Sequence, residues 1–143
     1  MEFENFISNN DNKITQGEAK NHNVLVFAFV GDAVFTLFVR EYFASNSTFK
    51  AGVLHTQTSK FVKASFQAKL YELLEEDLLT DYEKVVGKSA RNAHTNNIAK
   101  NASVDDYKKA TSFEAVLGYL YMTNQNERLM KILNFCKAQF NSK

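Results

Sequence analysis

The sequence has no proline, five glycines and one cysteine in 143 residues. Without helix breakers, and with little alternation of polar and apolar residues, the pattern excludes a sheet-rich protein and predicts an all-α one. The lone Cys136 excludes an internal disulfide and fits a reducing compartment. The amino terminus, MEFENFISNNDNK, is acidic and polar and does not read as a secretory leader, so a cytoplasmic location is expected. Long hydrophobic runs are also missing. Residues 24–44 offer seven consecutive apolar residues before Gly31-Asp32 and three after. A central Asp costs about 2.5–3.5 kcal/mol on membrane-insertion scales, so the stretch reads as a core helix and no membrane contact is expected. The three histidines, His22, His55 and His94, share no metal-binding spacing and have no cysteine beside them, which argues against a zinc site.

What the chain does have is 45% apolar residues, thirteen of them Phe, enough for one domain with a real core. Residues 1–20 read as a polar arm or short helix, and residues 21–143 as a single helical domain. A first helix covers roughly 22–44. A second long helix is predicted from about 53 to 76, because Phe61, Ala64, Ala68, Tyr71, Leu74 and Leu78 recur every three or four residues. Thr80 and Glu83 form a capping-box pattern that starts a third helix. That helix gives way near Ala93 to the polar loop His94-Thr95-Asn96-Asn97. Ser103, with Asp105 and Asp106 behind it, caps a further helix that ends near Thr123-Asn124. A last helix, about 127–140, lines up Leu129, Ile132, Leu133, Cys136 and Phe140, which makes Cys136 a small core residue rather than a nucleophile.

Two acids stand out against this background. Asp32 interrupts the apolar stretch 24–44, and Glu114 interrupts Ser112-Phe113-Glu114-Ala115-Val116-Leu117-Gly118. An ionised carboxylate in such surroundings is costly unless a cation or donors compensate it. One such acid is readily explained by escape to the rim; two, both expected to be buried on core helices, suggest a shared divalent cation. Charge is segregated as well. Residues 72–83 hold six acids and no base, whereas residues 84–109 hold six bases and two acids, a net +4. The first helix is apolar on more faces than a small domain can cover, so a two-fold homodimer is expected.

Phe29-Val30-Gly31-Asp32-Ala33-Val34 resembles the signature helix of the ribonuclease III catalytic domain. Phe113-Glu114-Ala115-Val116-Leu117-Gly118-Tyr119-Leu120-Tyr121 resembles its second acidic motif. Lys88-Ser89-Ala90-Arg91-Asn92-Ala93 and Lys100-Asn101 between them look like the Mini-ribonuclease III branch, as does an end at Lys143 that leaves no space for a double-stranded-RNA-binding domain. The similarity runs from about residue 23 to residue 135. It implies an all-α homodimer that cuts double-stranded RNA with Mg²⁺, or Mn²⁺ in its place, and that trims the precursor of large-subunit (23S) ribosomal RNA. Asp32 and Glu114 would be the catalytic metal ligands. Hydrolysis of a phosphodiester calls for activated water and neutralisation of the scissile phosphate, and Mg²⁺, which keeps several of its waters, suits a site of two carboxylates.

The sequence departs from full-length ribonuclease III at Leu25, Ala28, Ala64 and Thr111, where further acids would be expected, so few protein ligands and weak cation affinity without RNA are predicted. Lys88, Arg91, Asn92 and Lys100 read either as solvated surface or as contacts to phosphates and 2′-hydroxyls of A-form RNA. His94 and Asn101 belong to the same basic, Asn-rich stretch. Lys108 and Lys109, shortly before Glu114, are expected to hold a phosphate near the cation, and Lys60 and Lys63 to do the same from the second helix. Arg40 reads as a partner for neighbouring acids. The alternatives are a catalytically inactive dimeric RNA-binding or ribosome-assembly factor on the same fold, and a small-molecule phosphohydrolase. The latter would want more metal ligands and a nucleotide-gripping loop.

Overall fold

The structure, a computed structural model, describes residues 12–46, 48, 50–93 and 103–140. The described residues form seven helices and no strand: α1 (Gln16–Ala19), α2 (Val24–Ser45), α3 (Ala51–Val62), α4 (Ala64–Asp77), α5 (Asp81–Asn92), α6 (Val104–Met122) and α7 (Asn126–Gln139). Their starts follow local hydrogen-bonding chemistry. The Asn23 side chain accepts from Leu25 N at the head of α2, and Ser103 Oγ accepts from Asp106 N at the head of α6. Complete capping boxes, Thr15 with Glu18 and Thr80 with Glu83, open α1 and α5, each satisfying two backbone donors that would otherwise have none.

Helix α6 is the axis of the fold. It buries Phe113 and then every residue from Ala115 to Leu120, and it packs against α2, α4, α5 and α7. Such all-round burial belongs to a central helix. The predicted stripe on α7 is in place, with Leu129, Ile132, Leu133 and Cys136 buried. Burial pushes the Cys136 thiol well above its ordinary value, as expected for an inert core cysteine.

The predicted continuous helix from 53 to 76 is instead two helices. Lys63, with ψ 157°, caps both the end of α3 and the start of α4, and there is no proline or glycine at the break. Aromatic packing explains it. Phe61 and Phe66 pack edge to face at 5.0 Å and both lie against Phe140, at 5.1 and 6.4 Å. Residues five apart in one continuous helix would point about 140° away from each other. The break turns both rings onto Phe140, which also meets Phe35, Phe38, Tyr42 and Phe43 of α2. It also lets α3 lie on α2 while α4 lies on α6.

Among the described residues, no helix is long and apolar enough to cross a membrane. Helix α2 nevertheless carries exposed apolar side chains. Phe29 is 81% exposed, Leu37 57% and Val26 45%.

Candidate active site

Helices α2 and α6 cross with their backbones in contact, and two glycines make this possible. A Cβ on Gly31 would lie 1.7 Å from the carbonyl oxygen of Glu114, and a Cβ on Gly118 would lie 1.8 Å from that of Phe27. The contact is reciprocal, since each glycine meets the carbonyl four residues before the other. No other residue type fits at either point. Asp32 follows one glycine and Glu114 lies one turn before the other, so the crossing itself delivers the two carboxyl groups to one place.

Their environments differ from the sequence expectation of two buried acids. Asp32 is exposed at the rim, and only Glu114 is drawn inward, half-buried. The reason is that α2 is apolar both where it meets the core and where it faces outward, so the surroundings of Asp32 in the sequence do not reveal its side of the helix. Burial first, and then the neighbouring Asp32 carboxyl, push Glu114 up to about 8. Two carboxylates this close repel, and the repulsion is relieved by a proton or a cation.

Gln67 of α4 stands on the inner side of Glu114. Its amide favours the ionised carboxylate, but its Nε2 is sequestered without a hydrogen bond of proper geometry. An orphaned donor of this kind costs about 1–3 kcal/mol. Next to it, the Tyr71 hydroxyl fills the notch left by Gly87, where a Cβ would come within 2.0 Å. Ser112 Oγ donates to Gly87 O at 2.6 Å, fixing α5 to α6. Burial, and next the charge of Glu75, push the Tyr71 phenol up to about 12.

The remaining predicted residues are distributed as follows. Lys88 and Asn92 are exposed on α5 and Arg91 is half-buried there, close enough to Tyr71 for its charge to act on the phenol. Lys108 is exposed on α6. Lys109 departs from expectation, because its ammonium pairs with Glu72 of α4 and, at 3.0 Å, with Asp105. It clamps α4 to α6 and its charge is already met by two carboxylates. Lys60, Lys63 and Arg40 are exposed. His94, Lys100 and Asn101, with the loop they belong to, lie outside the described residues. His22 serves as a cap, with Nδ1 3.0 Å from Glu18 O, and His55 is exposed.

Sequence reasoning missed Gln67 and Arg128. Arg128 closes a two-point pair on the buried Glu83, through Nε at 2.8 Å and Nη2 at 2.7 Å, and Nη2 also donates to Leu78 O. A Gln inside a helix and an Arg near a helix start are ordinary surface residues by composition, and only the tertiary contact distinguishes them.

Among the described residues, no three or more His, Cys, Asp or Glu side chains gather at a point that could hold a metal. The acids brought together at the crossing are Asp32 and Glu114. Their hard oxygen donors, mutually repelling, fit a small divalent cation such as Mg²⁺ or Mn²⁺ that keeps most of its water.

With this geometry in view, comparison with known proteins places the chain. The ribonuclease III domain family matches residues 25–125. A Mini-ribonuclease 3 of Enterococcus faecalis is 42% identical over 118 residues, covering 82% of this chain and 89% of the relative. A Mini-ribonuclease 3 of Streptococcus pneumoniae is 41% identical over 115 residues, covering 80% and 90%. The crystal structure of a Fusobacterium nucleatum protein superimposes with a TM-score of 0.76 at 30% identity, covering 85% of this chain and 97% of that one. The chain therefore belongs to the ribonuclease III domain family, on its Mini-ribonuclease 3 branch.

Proposed function

We propose that the protein is an endoribonuclease that cleaves double-stranded RNA with Mg²⁺, or Mn²⁺ in its place, and matures the ends of the 23S ribosomal RNA precursor in the cytoplasm. The observation that carries this reading is the Asp32–Glu114 pair at the Gly31–Gly118 crossing, with Glu114 pushed up to about 8. Family membership and the names of the Mini-ribonuclease 3 relatives support RNA as the substrate.

The exposed Asp32 and the half-buried Glu114 would together hold the cation. When bound, the cation supplies the positive charge that activates water and neutralises the scissile phosphate. The chain's own share is rigidity. Backbone contact at the crossing fixes the spacing of the two carboxyls, and the Ser112–Gly87 hydrogen bond holds α5 beside them. Helix α5 presents Lys88, Arg91 and Asn92, the first and last exposed, as phosphate and 2′-hydroxyl contacts that track shape more than sequence. A two-fold homodimer built on the exposed Val26, Phe29 and Leu37 of α2 would set two such sites against the two strands.

The test is incubation of the purified protein with long double-stranded RNA, with Mg²⁺ and with a chelator. Cutting is expected with Mg²⁺ or Mn²⁺ and none with the chelator. RNA that is bound but left intact in every cation would contradict the reading and point to an inactive RNA-binding relative.

A further inference from the structure

Helix α4 lays a row of side chains against the core, and one is out of keeping with its neighbours. Around it the helix buries Ala68, Leu70, Tyr71 and Leu74, and Gln67 is as dry as these, with 2% of its surface exposed. Tyr71, one turn on, places its polar atom in the Gly87 notch. Gln67 has no such solution, for its Nε2 is enclosed and makes no hydrogen bond. An apolar side chain of similar length would fill the space without stranding a donor. A buried donor of this kind calls for a group that turns or arrives to meet it. The polar group beside it is the Glu114 carboxyl, whose charged form the amide favours.

We propose that Gln67 is a positioning residue for the carboxylate pair: its Nε2–H donates to one oxygen of Glu114 and leaves the other turned toward Asp32 to hold a divalent cation. An amide suits the task because it donates without carrying charge, and packing on α6 fixes its direction. A Lys there would compete with the cation, and a third carboxylate would add to the repulsion. The inference rests on the cation reading of Asp32 and Glu114 given above.

Gln67→Met keeps the unbranched length and removes the donor. The full chain is to be titrated with Mn²⁺ in a calorimeter without RNA, and its cleavage of long double-stranded RNA followed as Mg²⁺ is varied. Mn²⁺ binding is expected to weaken about tenfold, the usual scale for losing a group that orients a metal ligand. The Mg²⁺ midpoint for cleavage should rise in step, while the rate at saturating Mg²⁺ stays near wild type. The cation-free melting temperature should be equal or higher. A role in packing alone would move the melting temperature and leave both cation midpoints untouched, and that result overturns the proposal. Should Gln67→Met not fold, the Gln67 side-chain amide of the wild-type protein can be followed by nitrogen-15 NMR during a Mg²⁺ titration. Its signals should move with those of Asp32 and Glu114; if theirs move and its own do not, the proposal is overturned. Unchanged cation binding by Gln67→Met sinks this inference alone. A wild-type chain that binds no Mn²⁺, with Asp32→Asn cutting normally, sinks the cation reading and this inference with it.

Discussion

Gly31 and Gly118 do their work by having no side chain. A methyl group on Gly31 would lie 1.7 Å from Glu114 O and 2.9 Å from Gly118 N, and both are backbone atoms that cannot swing aside. Gly31→Ala must therefore push α2 and α6 apart, at an expected cost of about 3 kcal/mol or more. Urea unfolding should show a markedly lower midpoint, and an unchanged midpoint would mean that the backbones are not in contact. The juxtaposition was legible in the sequence to the extent that each acid shares a motif with a glycine. The exposure of Asp32 was not. Periodicity assigns a face only when a helix has a polar side, and α2 is apolar on the side that packs and on the side that bears Phe29. Gln67 was equally hidden, since a glutamine in a helix next to Lys69 and Glu72 has the composition of a solvated face.

At the scale of elements, the all-helical pattern and the caps of α5 and α6 could be read directly, because capping chemistry is local. Thr80, Glu83 and Ser103 act where their spacing places them. The break at Lys63 could not be read, because its cause is Phe140, more than seventy residues away in the chain. The Lys109 clamp on Glu72 is likewise a tertiary contact. The Glu83–Arg128 pair joins the head of α5 to α7 and has a consequence for pH. Burial opposes ionisation of Glu83, but the Arg128 and Thr80 contacts outweigh it and hold the carboxyl below its ordinary 4.5. Folding thus favours the charged form. Its contribution is complete above pH 4.5 and is lost as the pH falls through the lowered folded value. Glu83→Gln should cost about 1–3 kcal/mol at pH 7, and the gap from wild type should close in acid. Urea midpoints measured across that range check this, and a gap that persists at low pH would contradict it.

For the whole molecule, the described chain leaves a row of apolar residues on α2 open to solvent. Val26, Phe29 and Leu37 recur at three- and eight-residue intervals along one side, and a second copy of the same row would cover them. Light scattering at micromolar concentration should give twice the chain mass, and Phe29→Glu should give a monomer. A wild-type monomer would remove the paired arrangement that cutting both strands requires. The central claim, that Asp32 and Glu114 form the catalytic centre, is tested most directly by Asp32→Asn and Glu114→Gln, each assayed for binding and for cutting of long double-stranded RNA in Mg²⁺. Each change keeps shape and ends the carboxyl–carboxyl repulsion at the crossing, so the melting temperature should be equal or higher. Binding should persist, because basic residues elsewhere supply it. Cleavage should fall by at least about a hundredfold. A folded variant of either kind that still cuts at nearly the wild-type rate would contradict the account.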